Sequence, residues 1–120
     1  MNTLKKTIAI LSLLALPMMP AIAQYTGPNM QPAVITVKQL QETGWNDQHV
    51  ALRGRIVGRI NHKYYRFADD SGQILIELKP KYIPFGLNFS DKNIVEIRGE
   101  FDKEWHKESK VEVYSIAVIK

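Results

Sequence analysis

The chain has 120 residues, with 16 lysines and arginines against 12 aspartates and glutamates, which gives a formal net charge of +4. It has no cysteine, and this excludes disulfide bonds, thiol nucleophiles and zinc–thiolate sites. The excess of positive charge is too small to be the footprint of a dedicated nucleic-acid-binding protein.

The N-terminal segment, residues 1–23, has the pattern of a secretory signal peptide. A basic start at residues 5–6 is followed by an apolar run over 8–16. Ala21 and Ala23 then place small residues at the −3 and −1 positions of a cleavage site. Because the apolar run is shorter than the roughly 20 residues of a spanning helix, it is not interpreted as a membrane anchor. We therefore predict cleavage after Ala23 and a periplasmic protein with no membrane span after cleavage.

The next two segments are predicted to be a leader and a short helix. Residues 24–35 contain turn-forming glycine and proline, which predicts a flexible leader. A helix over 37–43 is predicted from a capping box, in which the Thr36 hydroxyl accepts from the Gln39 amide and the Gln39 side chain reaches back. The helix is predicted to end at Gly44.

From His49 onward the period of the apolar residues changes from that of a helix to two, which is typical of half-buried strands. The predicted strands span 49–60, 64–68, 73–79, 94–101 and 110–119. Glycines inside the first strand and a change of phase near Val113 and Tyr114 indicate bends or bulges. Five antiparallel strands of this kind close most economically as an OB-fold, and an open meander is the alternative. The predicted fold class is therefore mainly β, a five-stranded Greek-key barrel over 36–120 with a short N-terminal helix.

Three sequence blocks resemble the bacterial OB-fold (BOF) family of periplasmic stress-tolerance proteins. The blocks begin at Val50, Tyr65 and Val95, and they read VALRGRIV, YRFADDSG and VEIRGEFDKEW. They follow one another in the family's order within about residues 33–119. The resemblance implies a secreted OB-fold domain linked to tolerance of envelope stress. It also implies a protein that binds a cell-wall or other small envelope ligand, with no established catalytic residue and no cofactor.

The first candidate for a binding surface is a row of arginines. One face of the first predicted strand carries Arg53, Arg55 and Arg59, and Arg66 of the second strand is expected beside them. Guanidinium groups suit planar oxyanions, so the row predicts an anionic or saccharide-like ligand such as a peptidoglycan fragment. The alternative is a solvated sheet face on which the arginines pair with glutamates of neighbouring strands. The glutamates considered are Glu77, Glu96 and Glu100.

Two aromatic residues complete the predicted binding surface. Tyr64 is expected to be exposed, because Tyr65 and Phe67 share the opposite parity of the same strand and are expected to fill the barrel. Trp105 lies in the loop between the last two strands, either as a lid over the barrel mouth or as a stacking residue for a ligand. Nucleic-acid binding is not expected, since it follows from the fold alone and conflicts with export.

No catalytic residue and no metal site are predicted. The Asp69-Asp70-Ser71-Gly72 segment is interpreted as a hairpin turn, because it lacks the further oxygen ligands of a calcium loop. The three histidines are far apart in the sequence and form no ligand-spaced pair. The predicted function is that of a non-enzymatic binding protein without a cofactor. The alternative is a protein-interaction module that docks on an envelope sensor or transporter.

Overall fold

The computed structural model describes residues 31–120, so the predicted signal peptide and most of the predicted leader lie outside the described residues. The described chain forms β1 (Val34–Ile35), α1 (Val37–Thr43), β2 (His49–Arg59), β3 (Tyr64–Asp69), β4 (Gly72–Leu78), β5 (Val95–Asp102) and β6 (Lys110–Val118). A 3-10 turn, Pro80–Tyr82, follows β4. Within 31–120, no helix has both the length and the apolar character needed to cross a membrane.

Five of the strands pair in a closed circuit. β2 pairs antiparallel with β5 along its first half and with β3 along its second half. β3 and β4 form one antiparallel hairpin, β5 and β6 form another, and a parallel pairing of β4 with β6 joins the two hairpins. The prediction of a mainly β OB-fold with one short helix is confirmed. The alternative, an open meander, does not describe the sheet, because β2 also pairs with β5 and closes the circuit.

The short strand β1 is an element that the sequence pattern does not indicate. Val34 and Ile35, the last part of the predicted leader's range, pair in parallel with Ala51 and Leu52 of β2. Because β5 occupies the other edge of β2 at these positions, β1 lies on the edge that β3 covers further along. The strand therefore covers backbone groups that would otherwise form an open sheet edge.

The barrel interior is filled by aliphatic side chains around Phe67, which is completely buried. Buried residues alternate with less buried ones throughout β5, as the period of two predicts, whereas β2 and β4 each contain three consecutive buried residues. Val37 and Leu40 of α1 are also completely buried and belong to the same core. Each such side chain contributes about 1.5–3 kcal/mol by leaving water, so the helix is an integral part of the barrel.

The start of α1 is the predicted capping box. Thr36 Oγ1 accepts a hydrogen bond from the Gln39 amide at 3.1 Å, and Gln39 Oε1 accepts one from the Thr36 amide at 2.9 Å. Gly44 follows the last helical residue, and its amide donates to the Leu40 carbonyl at 2.8 Å. The predicted helix bounds are confirmed at both ends.

The β3–β4 hairpin holds α1 against the barrel through Asp69. The Val37 amide donates to Asp69 Oδ2 and the Lys38 amide to Ser71 Oγ, both at 2.9 Å. Asp69 Oδ1 accepts from the Ser71 amide at 2.8 Å and the Gly72 amide at 3.2 Å. One carboxylate therefore organises both the hairpin turn and the first turn of the helix, which explains the acidic residue that begins this turn.

The phase change predicted in the last strand is a β-bulge. In the β5–β6 register, Arg98 pairs with Ser115 but Gly99 pairs with Val113, so Tyr114 is an extra residue. A residue of this kind bends its strand and directs its own side chain away from the regular alternation. The bulge places Tyr114 on the outer surface, 41% exposed.

Candidate functional site

The predicted arginine row is not continuous, because β2 changes face at a bulge. Val57 is skipped in the register between β2 and β3, and one extra residue reverses the faces of those that follow. Arg59 consequently stands opposite Tyr65, which is buried, and its guanidinium carbon lies 5.7 Å from the centre of the Tyr65 ring. The prediction that Arg59 shares a face with Arg53 and Arg55 is wrong.

Two of the other arginines are paired with glutamates. Arg53 Nε donates to Glu96 Oε1 at 2.7 Å, and Arg66 forms a two-pronged pair with Glu108, in which Nη2 lies 2.7 Å from Oε1. In each case the hydrogen bond from the arginine outweighs burial and holds the pKa of the glutamate below its usual range. Arg55 has no carboxylate within 4.0 Å among residues 31–120. The paired alternative thus describes Arg53, whose partner Glu96 it names, whereas Arg66 pairs with Glu108 of a loop, which it does not name.

A different line of side chains crosses the outer surface of the barrel. The strand registers place Glu77 of β4 beside Glu112 of β6, and Glu112 beside Glu100 of β5. Tyr64 of β3 stands opposite Glu77, and His49 of β2 stands opposite Glu100. Because residues paired across a sheet share a face, these five side chains form one line across five strands. We call this line the polar row.

A cleft of about 200 Å³ opens over the glutamates of the polar row. Its lining consists of Glu77, Lys79, Tyr82, Glu100, Glu112, Val113 and Tyr114. Tyr82 comes from the 3-10 turn and Tyr114 from the bulge of β6, and both rings are partly exposed. His49 Nδ1 lies 3.0 Å from the Tyr114 hydroxyl, which connects one wall of the cleft to the polar row.

Lysine side chains lie beside two of the three glutamates in the cleft. Glu77 is only 8% exposed, and its Oε2 lies 3.5 Å from Lys63 Nζ and 3.9 Å from Lys79 Nζ. Glu112 Oε2 lies 3.9 Å from Lys110 Nζ. The cleft lining therefore offers three carboxylate acceptors with one ammonium donor, Lys79. No group of three or more histidine, aspartate or glutamate residues in the described range is placed to hold a metal ion.

Two loops border the outer face of β3. On one side Asn61 Oδ1 accepts from the amides of Lys63 at 3.0 Å and Tyr64 at 2.9 Å, which shapes the turn before β3. On the other side the loop over residues 103–109 is tied to β3 by the Arg66–Glu108 pair. This loop displays Trp105, whose exposed fraction of 85% excludes a lid over the barrel.

The structure therefore divides the predicted binding residues among different places. Tyr64, Arg66 and Trp105 lie on or beside the outer face of β3, and Arg53 and Arg55 lie on the outer face of β2. Arg59 lies beyond the bulge, opposite Tyr65. None of the residues that line the cleft is in the predicted binding surface, and Glu77 and Glu100 are considered there only as partners of the arginines. The one signal of these lining residues in the sequence is the change of phase at Tyr114, which indicates a bulge without indicating a site.

The closed circuit of five strands, with one short helix packed into its core, defines a small OB-fold barrel. A family model described as "Bacterial OB fold (BOF) protein" matches residues 17–118. The chain belongs to the bacterial OB fold family, as the resemblance of its three blocks predicts.

Named relatives and solved structures agree with this membership. Protein YgiW of Escherichia coli K12 is 32% identical, covering 86% of this chain and 89% of YgiW. A solved structure of E. coli YgiW matches with a TM-score of 0.67, covering 80% of this chain and 98% of the solved chain. The calcium-regulated OB-fold protein CarO of Pseudomonas aeruginosa is 37% identical over 68% of this chain and 69% of CarO. The telomere capping protein Ten1 of Saccharomyces pombe, at 15% identity and a TM-score of 0.59, shares the fold.

Proposed function

We propose that this chain is a non-enzymatic periplasmic protein whose cleft binds a saccharide, such as a fragment of the cell-wall glycan, and that it contributes in this way to tolerance of envelope stress. The observation that carries the proposal is the cleft over Glu77, Glu100 and Glu112, with Lys79 and a tyrosine from each of two elements in its lining. The fold agrees with it, because OB-folds bind oligosaccharides on the outer face of the sheet, and the cleft lies on the outer face of β4, β5 and β6.

The chemistry of the cleft favours a saccharide over a strongly charged ligand. Sugar hydroxyls both donate and accept hydrogen bonds, and the cleft provides Glu112 as an acceptor next to Lys79 as a donor. The apolar faces of sugar rings pack against aromatic rings such as Tyr82 and Tyr114. An anionic ligand is less favoured than the sequence predicts, because Arg53 and Arg66 already have carboxylate partners. The name of CarO describes regulation by calcium, and calcium binding is not part of this proposal.

The substitution Glu112→Gln is expected to weaken retention on purified insoluble peptidoglycan by about tenfold, because one charged hydrogen-bond acceptor in the cleft is worth about 1.4 kcal/mol. Co-sedimentation with increasing amounts of peptidoglycan measures the dissociation constant. The matched control is Glu42→Gln on α1, where the glutamate is exposed and 4.0 Å from Lys38. This control is expected to be retained like the unchanged protein.

Each other result of the sedimentation experiment has a defined meaning. Equal retention of Glu112→Gln and the unchanged protein would exclude the cleft as the binding site. Loss of retention in a triple variant with Arg53, Arg55 and Arg59 changed to serine would instead indicate that these arginines bind the ligand. No retention of the unchanged protein would overturn saccharide binding and favour a module that docks on another envelope protein.

Cleavage of the signal peptide during export predicts the N-terminal residue of the mature protein. We expect the protein recovered from the periplasmic fraction to begin at Gln24, because Ala21 and Ala23 fit the small pockets of a signal peptidase. Intact mass spectrometry measures this. Replacing Ala23 with arginine is expected to block cleavage, and the uncleaved chain is then found in the membrane fraction. A periplasmic protein that retains residues 1–23 would contradict the prediction.

A further inference from the structure

The two tryptophans of the chain, Trp45 and Trp105, are both strongly exposed. The exposed fractions are 63% for Trp45, in the loop between α1 and β2, and 85% for Trp105, in the loop between β5 and β6. Exposed apolar residues that stand singly are common on protein surfaces, and Phe85 is fully exposed as well. The two tryptophans differ from Phe85 because their loops meet. Neither tryptophan packs in the hydrophobic core, so packing does not explain why it is present.

Lys103 brings the two tryptophan-bearing loops together. Its Nζ donates to the carbonyl of Gly44, the residue before Trp45, at 3.1 Å, and its amide donates to Oδ1 of Asn46, the residue after Trp45, at 3.0 Å. The same Nζ lies 5.8 Å from the centre of the Trp105 ring. The two tryptophan-bearing loops therefore meet at Lys103, at the end of β5.

The backbone around Trp45 is also held in place before any ligand arrives. The Trp45 amide donates to Gln48 Oε1 at 3.1 Å, and the Gln48 amide donates to the Trp45 carbonyl at 3.2 Å. The Asp47 amide donates to the Phe101 carbonyl at 2.8 Å, which fastens this turn to the end of β5. A ring on a fixed turn loses less conformational freedom on binding than one on a mobile loop.

We propose that Trp45, Lys103 and Trp105 form a second saccharide subsite, so that the ligand is a glycan chain of several sugar units. This rests on the proposed function of the cleft. Glu100 in the cleft and Lys103 are three positions apart, a distance of about 10 Å along an extended chain, which exceeds one sugar ring. A glycan that occupies the cleft and continues past the end of β5 would extend toward the two tryptophan-bearing loops.

The neighbours of the tryptophans favour a glycan over a protein partner. The core of a protein–protein interface is a patch of adjoining apolar side chains with few charges. Here Trp45 is followed by Asn46 and Asp47, and Trp105 lies between Glu104 and a histidine. Separate aromatic rings among hydrogen-bonding groups match a sugar chain, in which apolar ring faces alternate with hydroxyls.

The test uses fluorescence, because Trp45 and Trp105 are the chain's only tryptophans and their emission reports directly on this subsite. The probes are purified peptidoglycan fragments of one disaccharide repeat and of four repeats. The four-repeat fragment is expected to shift the emission to shorter wavelength and to bind about tenfold more tightly than the single repeat. Calorimetry with the same fragments gives affinities for variants that lack a fluorophore.

Alanine at Trp45 or at Trp105 is expected to reduce affinity for the four-repeat fragment about tenfold and to leave affinity for the single repeat unchanged. The matched control is Phe85→Ala, because this phenylalanine is fully exposed and lies outside both loops. It is expected to bind both fragments like the unchanged protein.

The outcomes separate the two proposals. If both fragments bind equally and neither tryptophan variant changes them, the second subsite is wrong while the cleft stands. If neither fragment binds the unchanged protein, the proposed function fails and the subsite fails with it. If the tryptophan variants lose binding of the single repeat as well, the tryptophans are the primary site, and the extended-chain inference is overturned.

Discussion

Alanine in place of Gly54 is expected to lower the free energy of unfolding by about 3 kcal/mol or more, which is the upper range for overpacking a core. A Cβ atom at this position would lie 2.2 Å from the Ala68 carbonyl oxygen and 2.9 Å from Phe67 Cζ. The oxygen belongs to the backbone of the neighbouring strand, so relief requires β2 and β3 to separate. The side chain of Phe67, at the centre of the core, has no room to move instead.

Gly58→Ala is the matched control, because it makes the same change four residues later in β2. A Cβ atom there meets nothing closer than Arg66 Cβ at 3.8 Å, and the change is expected to alter stability by only about 0.5 kcal/mol. Urea denaturation of the three proteins measures the difference. Equal midpoints for Gly54→Ala and Gly58→Ala would show that the close approach of β2 and β3 does not limit closure of the barrel.

The close approach of neighbouring strands at a glycine also explains how far the glycine pattern predicts the fold. The sequence shows glycines at regular interruptions of the strands, which correctly favours a bent, closed barrel. The cause is non-local: Gly54 lies against Ala68, and a Cβ atom on Gly99 would lie 2.3 Å from the Glu112 carbonyl oxygen. The positions of the bends are therefore predictable from the sequence, but their packing partners are not.

Local rules predict the helix best and β1 worst. The capping box of α1 is complete within the four residues from Thr36 to Gln39, so its chemistry is fully visible in the sequence. β1 contains only Val34 and Ile35, and a period of two is not detectable over two residues. Its pairing depends on an edge of β2 that is created by the rest of the sheet.

The predicted binding surface differs from the observed one because pairing between strands decides which side chains are neighbours. The arginine row assumes that alternation continues through β2, but the extra residue Val57 reverses the face of Arg59. The polar row depends on a parallel pairing that brings Glu77 beside Glu112, two residues that are 35 positions apart in the sequence. Exposed residues of each strand are predictable, whereas their neighbours on the next strand depend on topology.

Asp69→Asn is expected to lower the free energy of unfolding at neutral pH by about 3 kcal/mol, because several charged hydrogen bonds in the hairpin and helix are lost together. Asp69 Oδ1 accepts from the Ser71 hydroxyl at 2.6 Å in addition to two amides, and Oδ2 accepts from the Val37 amide at 2.9 Å. Asparagine has a single acceptor oxygen, and its NH2 group would face a donor. The matched control is Asp70→Asn, since Asp70 accepts no hydrogen bond from the rest of residues 31–120 and is expected to behave like the unchanged protein.

The pH dependence of stability distinguishes the contribution of the Asp69 charge from the contribution of its side-chain shape. Burial raises the pKa of Asp69, but the hydrogen bonds from the Ser71 hydroxyl and from three backbone amides outweigh burial, so the pKa lies below its usual range. A carboxyl whose pKa is lower in the folded than in the unfolded state stabilises the fold above about pH 4, and this contribution is lost as pH falls through the folded-state pKa. The stability difference between the unchanged protein and Asp69→Asn is therefore expected to be constant near neutral pH and to shrink in acid. Both proteins still lose stability in acid through the similarly lowered pKa values of Glu96, Asp102 and Glu108. Urea midpoints measured from pH 7 to pH 3 that run parallel for the two proteins would show that Asp69 acts through its shape alone.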